Sequence, residues 1–162
     1  ARDYFLFSFN MRGMSFVDIA FLRNRDIVNG RVLYTRKKTG QKFSIKLTDE
    51  AKTIIDKYHY NDEPQGFVFQ IIDRKGSEYL DYRNALRLTN KKLKTIGEDA
   101  GCSIKISTYV SRHSWATIAK RSGIPTAVIS EGMGHNSEKT TQIYLDSFEN
   151  EVIDDANELI TG

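Results

Sequence analysis

The sequence has very little of what disulfide-bonded, zinc-binding or membrane proteins need. It contains one cysteine, Cys102, and three histidines among 162 residues. One cysteine cannot form an internal disulfide, and with only three histidines it does not give a four-ligand zinc site of the usual Cys/His spacing, so no metal is expected. No stretch approaches the roughly 20 apolar residues of a membrane span, and residues 1–10 lack the basic start of a signal peptide. We therefore expect a cytoplasmic protein without a membrane partner.

Low-complexity sequence is also missing. With two prolines, eleven glycines, 40% hydrophobic and 28% charged residues, the composition is that of an ordinary globular domain. Neither a repeat nor a linker interrupts the chain, and its length suits one domain with a sizeable core. We expect a single domain over residues 1–162.

Acidic residues are absent from two basic stretches. Residues 30–47 contain six basic residues and residues 83–97 contain five, with no acid in either stretch. The last 17 residues, 146–162, are the reverse, with six acids and no base. A basic body suits a phosphate backbone, although solvated surface lysines explain such runs equally well on charge alone.

Local signals predict several helices and one hairpin. Residues 31–36 and 42–47 alternate in polarity around a turn with Thr39-Gly40, which predicts paired strands with Lys37 and Lys38 at the bend. Helices are predicted over residues 16–22, 49–60, 80–100, 109–121 and 125–132, followed by a short helix that Ser137 caps and that carries Tyr144. Arg12-Gly13 marks a break before the first of these helices.

Four short motifs follow one another in a defined order. They are Met11-Arg12-Gly13, Lys37-Lys38-Thr39-Gly40, the run 109–117 with Tyr109 and Arg112, and the run 133–144 with His135 and Tyr144. In this order and spacing they resemble the catalytic domain of the tyrosine recombinases, the phage-integrase family, over nearly the whole chain. The most specific part is Gly-His followed nine residues later by Tyr, with Thr three residues before that Tyr.

The resemblance implies a site-specific recombinase that integrates or excises mobile DNA through a covalent 3′-phosphotyrosine, without metal or cofactor. It implies Tyr144 as nucleophile, Arg12 and Arg112 as phosphate-binding groups, Lys38 as general acid and His135 as a hydrogen-bonding partner of the phosphate. These roles suit the chemistry, because planar guanidinium groups bind phosphate oxygens in pairs and a lysine can protonate the leaving oxygen. Lys37 remains the alternative to Lys38.

The sequence departs from the family pattern at Tyr109, where many members have a histidine three residues before the second arginine. A phenol can hydrogen-bond a phosphate but is a poor proton acceptor at neutral pH, so Tyr109 is either a supporting catalytic residue or a packing residue. His113 is not placed in the site, because neighbours on a helix point about 100° apart.

The resemblance also implies the fold and the partners. The expected fold is mainly α with a small antiparallel β-hairpin or three-stranded sheet (α+β), and the expected partner is double-stranded DNA in a prokaryotic, nucleoid-associated setting. Candidate DNA contacts in the basic stretches are Arg36, Lys37, Lys42, Arg83, Arg87, Lys91 and Lys92. The family's N-terminal DNA-clamping (core-binding) domain has no counterpart in these residues.

The resemblance implies a homo-oligomer, with four protomers on DNA and a monomer in isolation. The acidic segment 146–162 carries an amphipathic apolar stripe, which can fold back on its own domain or bind a neighbouring protomer. The resemblance favours exchange of this segment between protomers. Three alternative functions remain: a non-catalytic DNA-binding module of the same fold, a type IB topoisomerase-like enzyme, and an interaction domain whose acidic tail binds a basic partner.

Overall fold

The computed structural model describes residues 1–135, 137–145 and 160, and for Ile143 and Tyr144 it describes the backbone alone. The predicted acidic segment therefore lies outside the described residues, apart from Ile160. The helices are α1 (Arg2–Asn10), α2 (Phe16–Ala20), α3 (Asp49–Tyr58), α4 (Glu78–Asp99), α5 (Val110–Arg121), α6 (Thr126–Met133) and α7 (Glu138–Tyr144). The strands are β1 (Ile27–Val28), β2 (Arg31–Thr35) and β3 (Lys42–Lys46).

Side-chain caps determine where several helices begin. The hydroxyls of Ser15, Thr48 and Ser137 accept the backbone N–H groups three residues further on, as the sequence predicts. Several boundaries were predicted wrongly: α4, for example, begins at Glu78 and not at residue 80. The helix predicted to reach residue 22 ends at Ala20, the one predicted to reach residue 60 ends at Tyr58, and Pro125 is the N-cap of α6 rather than part of its first turn.

The three strands form one antiparallel sheet in the order β1-β2-β3. β2 and β3 are in register with Arg31 opposite Lys46 and Thr35 opposite Lys42. The backbone N–H of Arg36 donates to the carbonyl of Gln41 at 2.8 Å and closes the hairpin around Lys37 and Lys38. Both lysines therefore lie at the bend, which confirms that prediction.

Two apolar clusters form the core. The larger joins α1, α2, α3 and the sheet around buried side chains that include Phe7, Met11 and Phe69. The smaller lies between α5, α6 and the end of α7, where Trp115 packs against Ile129 and Met133. Met133 and Gly134, at the end of α6, lie beside the hairpin, where their carbonyls accept hydrogen bonds from the Arg36 side chain, so the two parts of the chain meet there.

The predicted fold class is confirmed: the described chain is mainly helical with a three-stranded antiparallel sheet. None of the helices within the described residues has the length and apolar character that a bilayer crossing requires.

Candidate active site

Arg112 is the central side chain of the site. It lies in the first turn of α5 and is 5% exposed. Its Nη1 donates to the carbonyl of Gly13 at 3.0 Å, and its Nη2 donates to the carbonyl of Met133 at 2.5 Å. Nη2 also lies 3.2 Å from Nε2 of His135. One guanidinium group thus connects the α1–α2 junction with the α6–α7 turn.

The backbone before α7 places His135 beside this guanidinium. Gly134 ends α6 in the left-handed conformation, with φ 65°, and the His135 N–H donates to the Ser130 carbonyl at 3.0 Å. On the far side of the ring, Nδ1 lies 2.8 Å from Oγ1 of Thr141, a fully buried residue of α7. The imidazole is therefore held from both of its nitrogens.

Among the described residues, the charges that act on His135 are positive. Burial lowers the pKa of His135 to about 4, and the charges of Arg112, Arg36 and Lys38 lower it as well. The ring is consequently neutral at pH 7. A neutral imidazole surrounded by three cations marks a site prepared for an anion.

Arg36 is buried, although the sequence predicts it as a DNA contact on the surface. It follows β2, is 9% exposed, and donates from Nη1 to the carbonyls of Met133 at 3.2 Å and Gly134 at 3.1 Å. Its side chain therefore ties the hairpin to the turn that carries His135. The sequence could not reveal this role, because Arg36 and Met133 are 97 residues apart along the chain.

The two lysines of the bend point to different surfaces. Lys38 lines the same cavity as Arg112 and His135. The Nζ of Lys37 lies 3.9 Å from the centre of the Phe21 ring, and its backbone N–H donates to Oδ1 of Asp18 at 2.9 Å. Asp18 is buried, so a carboxylate of α2 anchors the bend that presents Lys38. The sequence indicated Asp18 only as part of a helix start.

These side chains surround one cavity of about 370 Å³. Among the predicted residues it is lined by Arg36, Lys38, Tyr109, Arg112 and His135. None of the described residues that line it is acidic. Five of the predicted residues are therefore brought together around a space large enough for a phosphate group and its neighbouring sugar oxygens.

Arg12 is a predicted catalytic residue that is not among the described residues lining this cavity. It is half-buried between α1 and α2, in the left-handed conformation with φ 56°. Burial raises the pKa of Tyr34, Asp18 raises it further, and Arg36, Arg112 and Arg12 all oppose these effects. The charge of Arg12 thus acts on the same phenol as those of Arg36 and Arg112, although the second guanidinium at the cavity belongs to Arg36.

Tyr109 and Tyr144 are the two tyrosines among the predicted catalytic residues. Tyr109 is the N-cap residue of α5, is 56% exposed, and packs edge-on against His113 with ring centres 4.7 Å apart. Tyr144 is the last residue of α7, nine residues beyond His135. Its side chain lies outside the described part of the chain.

The basic residues of α4 divide between two sides of the helix. Arg83, Arg87 and Lys91 are exposed and four residues apart, so they share one stripe. Asn90 borders that stripe and accepts the backbone N–H of Thr108, a residue lining the cavity, at 2.9 Å. Lys92 points elsewhere, since its charge acts on the amino group of Ala1 at the start of α1.

Lys42 and Lys37 border a second groove, on the outer side of the hairpin, with aromatic walls that include Phe21 and Tyr34. Lys42 is exposed there, at the start of β3. The predicted DNA contacts thus lie on three surfaces: this groove, the α4 stripe, and the flank of α4 that carries Lys92.

Gly134 fits the hairpin so closely that we expect a methyl group to damage the fold. A Cβ added there would overlap the Phe43 ring and lie 2.5 Å from Oε1 of Gln41. Gly134→Ala should destabilise the protein by about 2–4 kcal/mol, through left-handed strain and overpacking together. Denaturant unfolding would measure this change.

Gly123 provides the matched control for that prediction. It is also left-handed, with φ 76°, but a Cβ there meets nothing within 4 Å. Gly123→Ala should therefore cost only the strain, about 1–2 kcal/mol. Equal losses in the two variants would contradict close packing between the hairpin and the α6–α7 turn.

Comparison with known proteins agrees with this architecture. Residues 9–151 match the model of the phage integrase family. The chain therefore belongs to the phage integrase family, and the resemblance read from its motifs is confirmed. Tyrosine recombinase XerA of Saccharolobus solfataricus is 28% identical over 136 residues, which are 82% of this chain and 42% of that protein.

Two solved structures share the fold at low sequence identity. The crystal structure of XerA recombinase superposes with a TM-score of 0.66 and 17% identity, over 96% of this chain and 56% of that one. The Tn1549 transposon integrase in complex with transposon right end DNA gives 0.63 and 12%, over 99% and 58%. The chain thus spans less than half of the XerA sequence named above, and a little over half of each structure.

Proposed function

We propose that this chain is the catalytic part of a site-specific DNA recombinase that cleaves and rejoins DNA through a 3′-phosphotyrosine, in integration or excision of mobile DNA. The observation that carries the proposal is the cavity in which Arg36, Lys38 and Arg112 surround a neutral His135, with no acid among the described lining residues. Membership of the phage integrase family and the DNA complex of a fold relative support it.

The proposed reaction is an exchange of phosphate esters. The phenolic oxygen of Tyr144 forms a bond to phosphorus and releases its proton to water, while the bond from phosphorus to the 5′ oxygen breaks. Lys38 donates the proton that the leaving oxygen requires. The guanidinium of Arg112 stabilises the charge that develops on the non-bridging oxygens, and Arg36 and Arg12 add positive potential. Attack by another 5′ hydroxyl reverses the step and joins new strands.

The position of Lys38 favours it over Lys37 as the proton donor. Lys38 borders the cavity, whereas the ammonium group of Lys37 lies over Phe21 on the other surface of the hairpin. Tyr109 borders the same cavity and can donate a hydrogen bond to the phosphate from its phenol. We propose it as a supporting residue of the site.

We propose further that the α4 stripe follows the DNA backbone beside the cavity. Arg87→Ala should weaken duplex binding and reduce the slope of log K against log salt by about 1, as expected for the loss of one phosphate contact. Lys92→Ala removes an equal charge from the other side of α4 and should leave the slope unchanged. Fluorescence anisotropy at several salt concentrations measures the duplex affinity and the salt slope of both variants. Equal effects of Arg87→Ala and Lys92→Ala would contradict the proposal that the DNA backbone follows the α4 stripe.

We also propose that four copies act together on DNA. Exchange between two duplexes breaks four strands, and each proposed site breaks one phosphodiester bond. The acidic segment 146–162 is our candidate for the exchanged contact between protomers. Sedimentation of the chain with and without duplex should give a monomer alone and a higher oligomer on DNA, and an oligomer unchanged by truncation after residue 145 would contradict that role for the segment.

Trapping of the covalent intermediate tests the enzymatic proposal. The substrate is a library of duplexes with a randomised centre and a nick near the expected cleavage point. After cleavage, the short 5′-hydroxyl fragment diffuses away, so the adduct accumulates. Denaturing gels should show a protein–DNA adduct, and peptide mapping should place the DNA on the peptide that contains Tyr144. Binding without any adduct would instead indicate a non-catalytic DNA-binding module. Adducts without sequence selection, together with relaxation of supercoils, would indicate a topoisomerase-like enzyme.

A further inference from the structure

Thr141 touches the candidate active site without lining its cavity. It lies in the middle of α7 and is fully buried, and its Oγ1 is 2.8 Å from Nδ1 of His135. The motif includes this threonine, but the proposed reaction gives it no task. A buried hydroxyl beside a histidine nitrogen affects which nitrogen carries the proton.

The contacts of the ring define its tautomer. Nη2 of Arg112 can only donate, and it lies 3.2 Å from Nε2 of His135. Nε2 must therefore hold a lone pair, and the single proton of the neutral ring lies on Nδ1. The Nδ1–H then donates to Oγ1 of Thr141, which accepts it. Burial and, after it, the cations around His135 lower its pKa and keep the ring neutral, so one tautomer describes it at pH 7.

We propose that Thr141 is a positioning residue: by accepting from Nδ1–H, it directs any second proton of His135 to Nε2, the nitrogen beside Arg112. This inference rests on the proposed function, because it assumes that a phosphate enters the cavity. An imidazole with a lone pair on Nε2 cannot donate to a phosphate oxygen, whereas an imidazolium can. Because Nδ1–H donates in both states, the ring can gain its proton without turning.

The charged groups that face His135 determine the direction in which anion binding shifts its pKa. Arg112 from α5, Arg36 at the end of β2 and Lys38 at the bend all oppose protonation, and the described lining of the cavity contains no acid. A phosphate dianion would offset these charges and raise the pKa of His135. Anion binding should therefore be accompanied by proton uptake at Nε2.

Nitrogen-15 NMR of the histidine rings in the full chain tests the proposal. With three histidines in the sequence, the resonance of His135 is assigned by its loss in His135→Gln. The wild-type chain and Thr141→Ser, which keeps the hydroxyl, should show the Nδ1–H tautomer and a rise in the pKa of His135 when inorganic phosphate is added. Thr141→Val, of equal size but without an acceptor, leaves Nδ1–H without its partner while the contact of Nε2 with Arg112 remains, so the excess of that tautomer should fall. Thr117→Val, at an exposed threonine of α5, is the control.

Each outcome decides the question. An Nε2–H tautomer in the wild-type chain, or an unchanged tautomer in Thr141→Val, would overturn the proposal. Should Thr141→Val fail to fold, Thr141→Ala and the wild-type spectrum decide in the same way. In the adduct assay, Thr141→Val should be about 10- to 100-fold slower and Thr141→Ser nearly normal. Since the spectra need no DNA, a correct tautomer in a chain that forms no adduct refutes the proposed enzyme and leaves the positioning role intact.

Discussion

Tyr144→Phe is expected to abolish the covalent adduct, with a loss of at least about 10⁴-fold in its rate of formation. The substitution removes one oxygen, the atom that we propose forms the bond to phosphorus, and leaves the aromatic ring in place. Duplex affinity should stay within about twofold, since the phosphate contacts come from other residues. Denaturing gels on a nicked duplex selected from the library measure the adduct, and anisotropy measures the binding.

Tyr60→Phe is the matched control, because Tyr60 is 77% exposed and lies far along the chain from the site motifs. It should form the adduct at the wild-type rate. An adduct that persists in Tyr144→Phe would show that another group attacks the phosphate, and the mapped peptide would then identify that group.

Arg112→Lys is expected to slow adduct formation by about 10²- to 10³-fold, although the positive charge is retained. A lysine cannot reproduce the fork that reaches the carbonyls of Gly13 and Met133 and the ring of His135. The Gly13 carbonyl would lose the Arg112 donor and the Met133 carbonyl one of its two donors, so the free energy of unfolding should also fall by about 1–3 kcal/mol. Assays are therefore run well below the melting temperature of the variant.

Arg121→Lys, at an exposed position near the end of the same helix, is the control and should leave both rate and stability nearly unchanged. An Arg112→Lys chain that is destabilised but forms the adduct at close to the wild-type rate would assign Arg112 a structural role alone. It would also remove the main electrostatic argument for the cavity as a phosphate site.

The elements that the sequence predicted well depend on neighbours along the chain. The hairpin bend, the caps at Ser15, Thr48 and Ser137, and the helix ends beside glycines follow from residues within a few positions of one another. Helix ends without such a signal were less accurate, as at Tyr58, where the helix stops two residues before its predicted end. The fold class followed from these local signals together with the family resemblance.

The parts of the site that the sequence could not predict depend on distant partners. Arg36 has the composition and setting of a surface cation, and only its contacts with the α6–α7 turn explain its burial. The different directions of Lys37 and Lys38 depend on Asp18 and Phe21, which lie in and directly after α2. The positions of Arg12, Lys38, Arg112, His135 and Tyr144 as a catalytic set stay predictions until the variants are measured.

One backbone carbonyl oxygen in this site accepts hydrogen bonds from two guanidinium groups. The carbonyl of Met133 accepts from Nη2 of Arg112 at 2.5 Å and from Nη1 of Arg36 at 3.2 Å. If an incoming phosphate recruits Arg112, the oxygen keeps its second donor and is not left unsatisfied. Under the proposed function, this second donor would let Arg112 exchange an internal hydrogen bond for a phosphate contact while the backbone at Met133 stays in place.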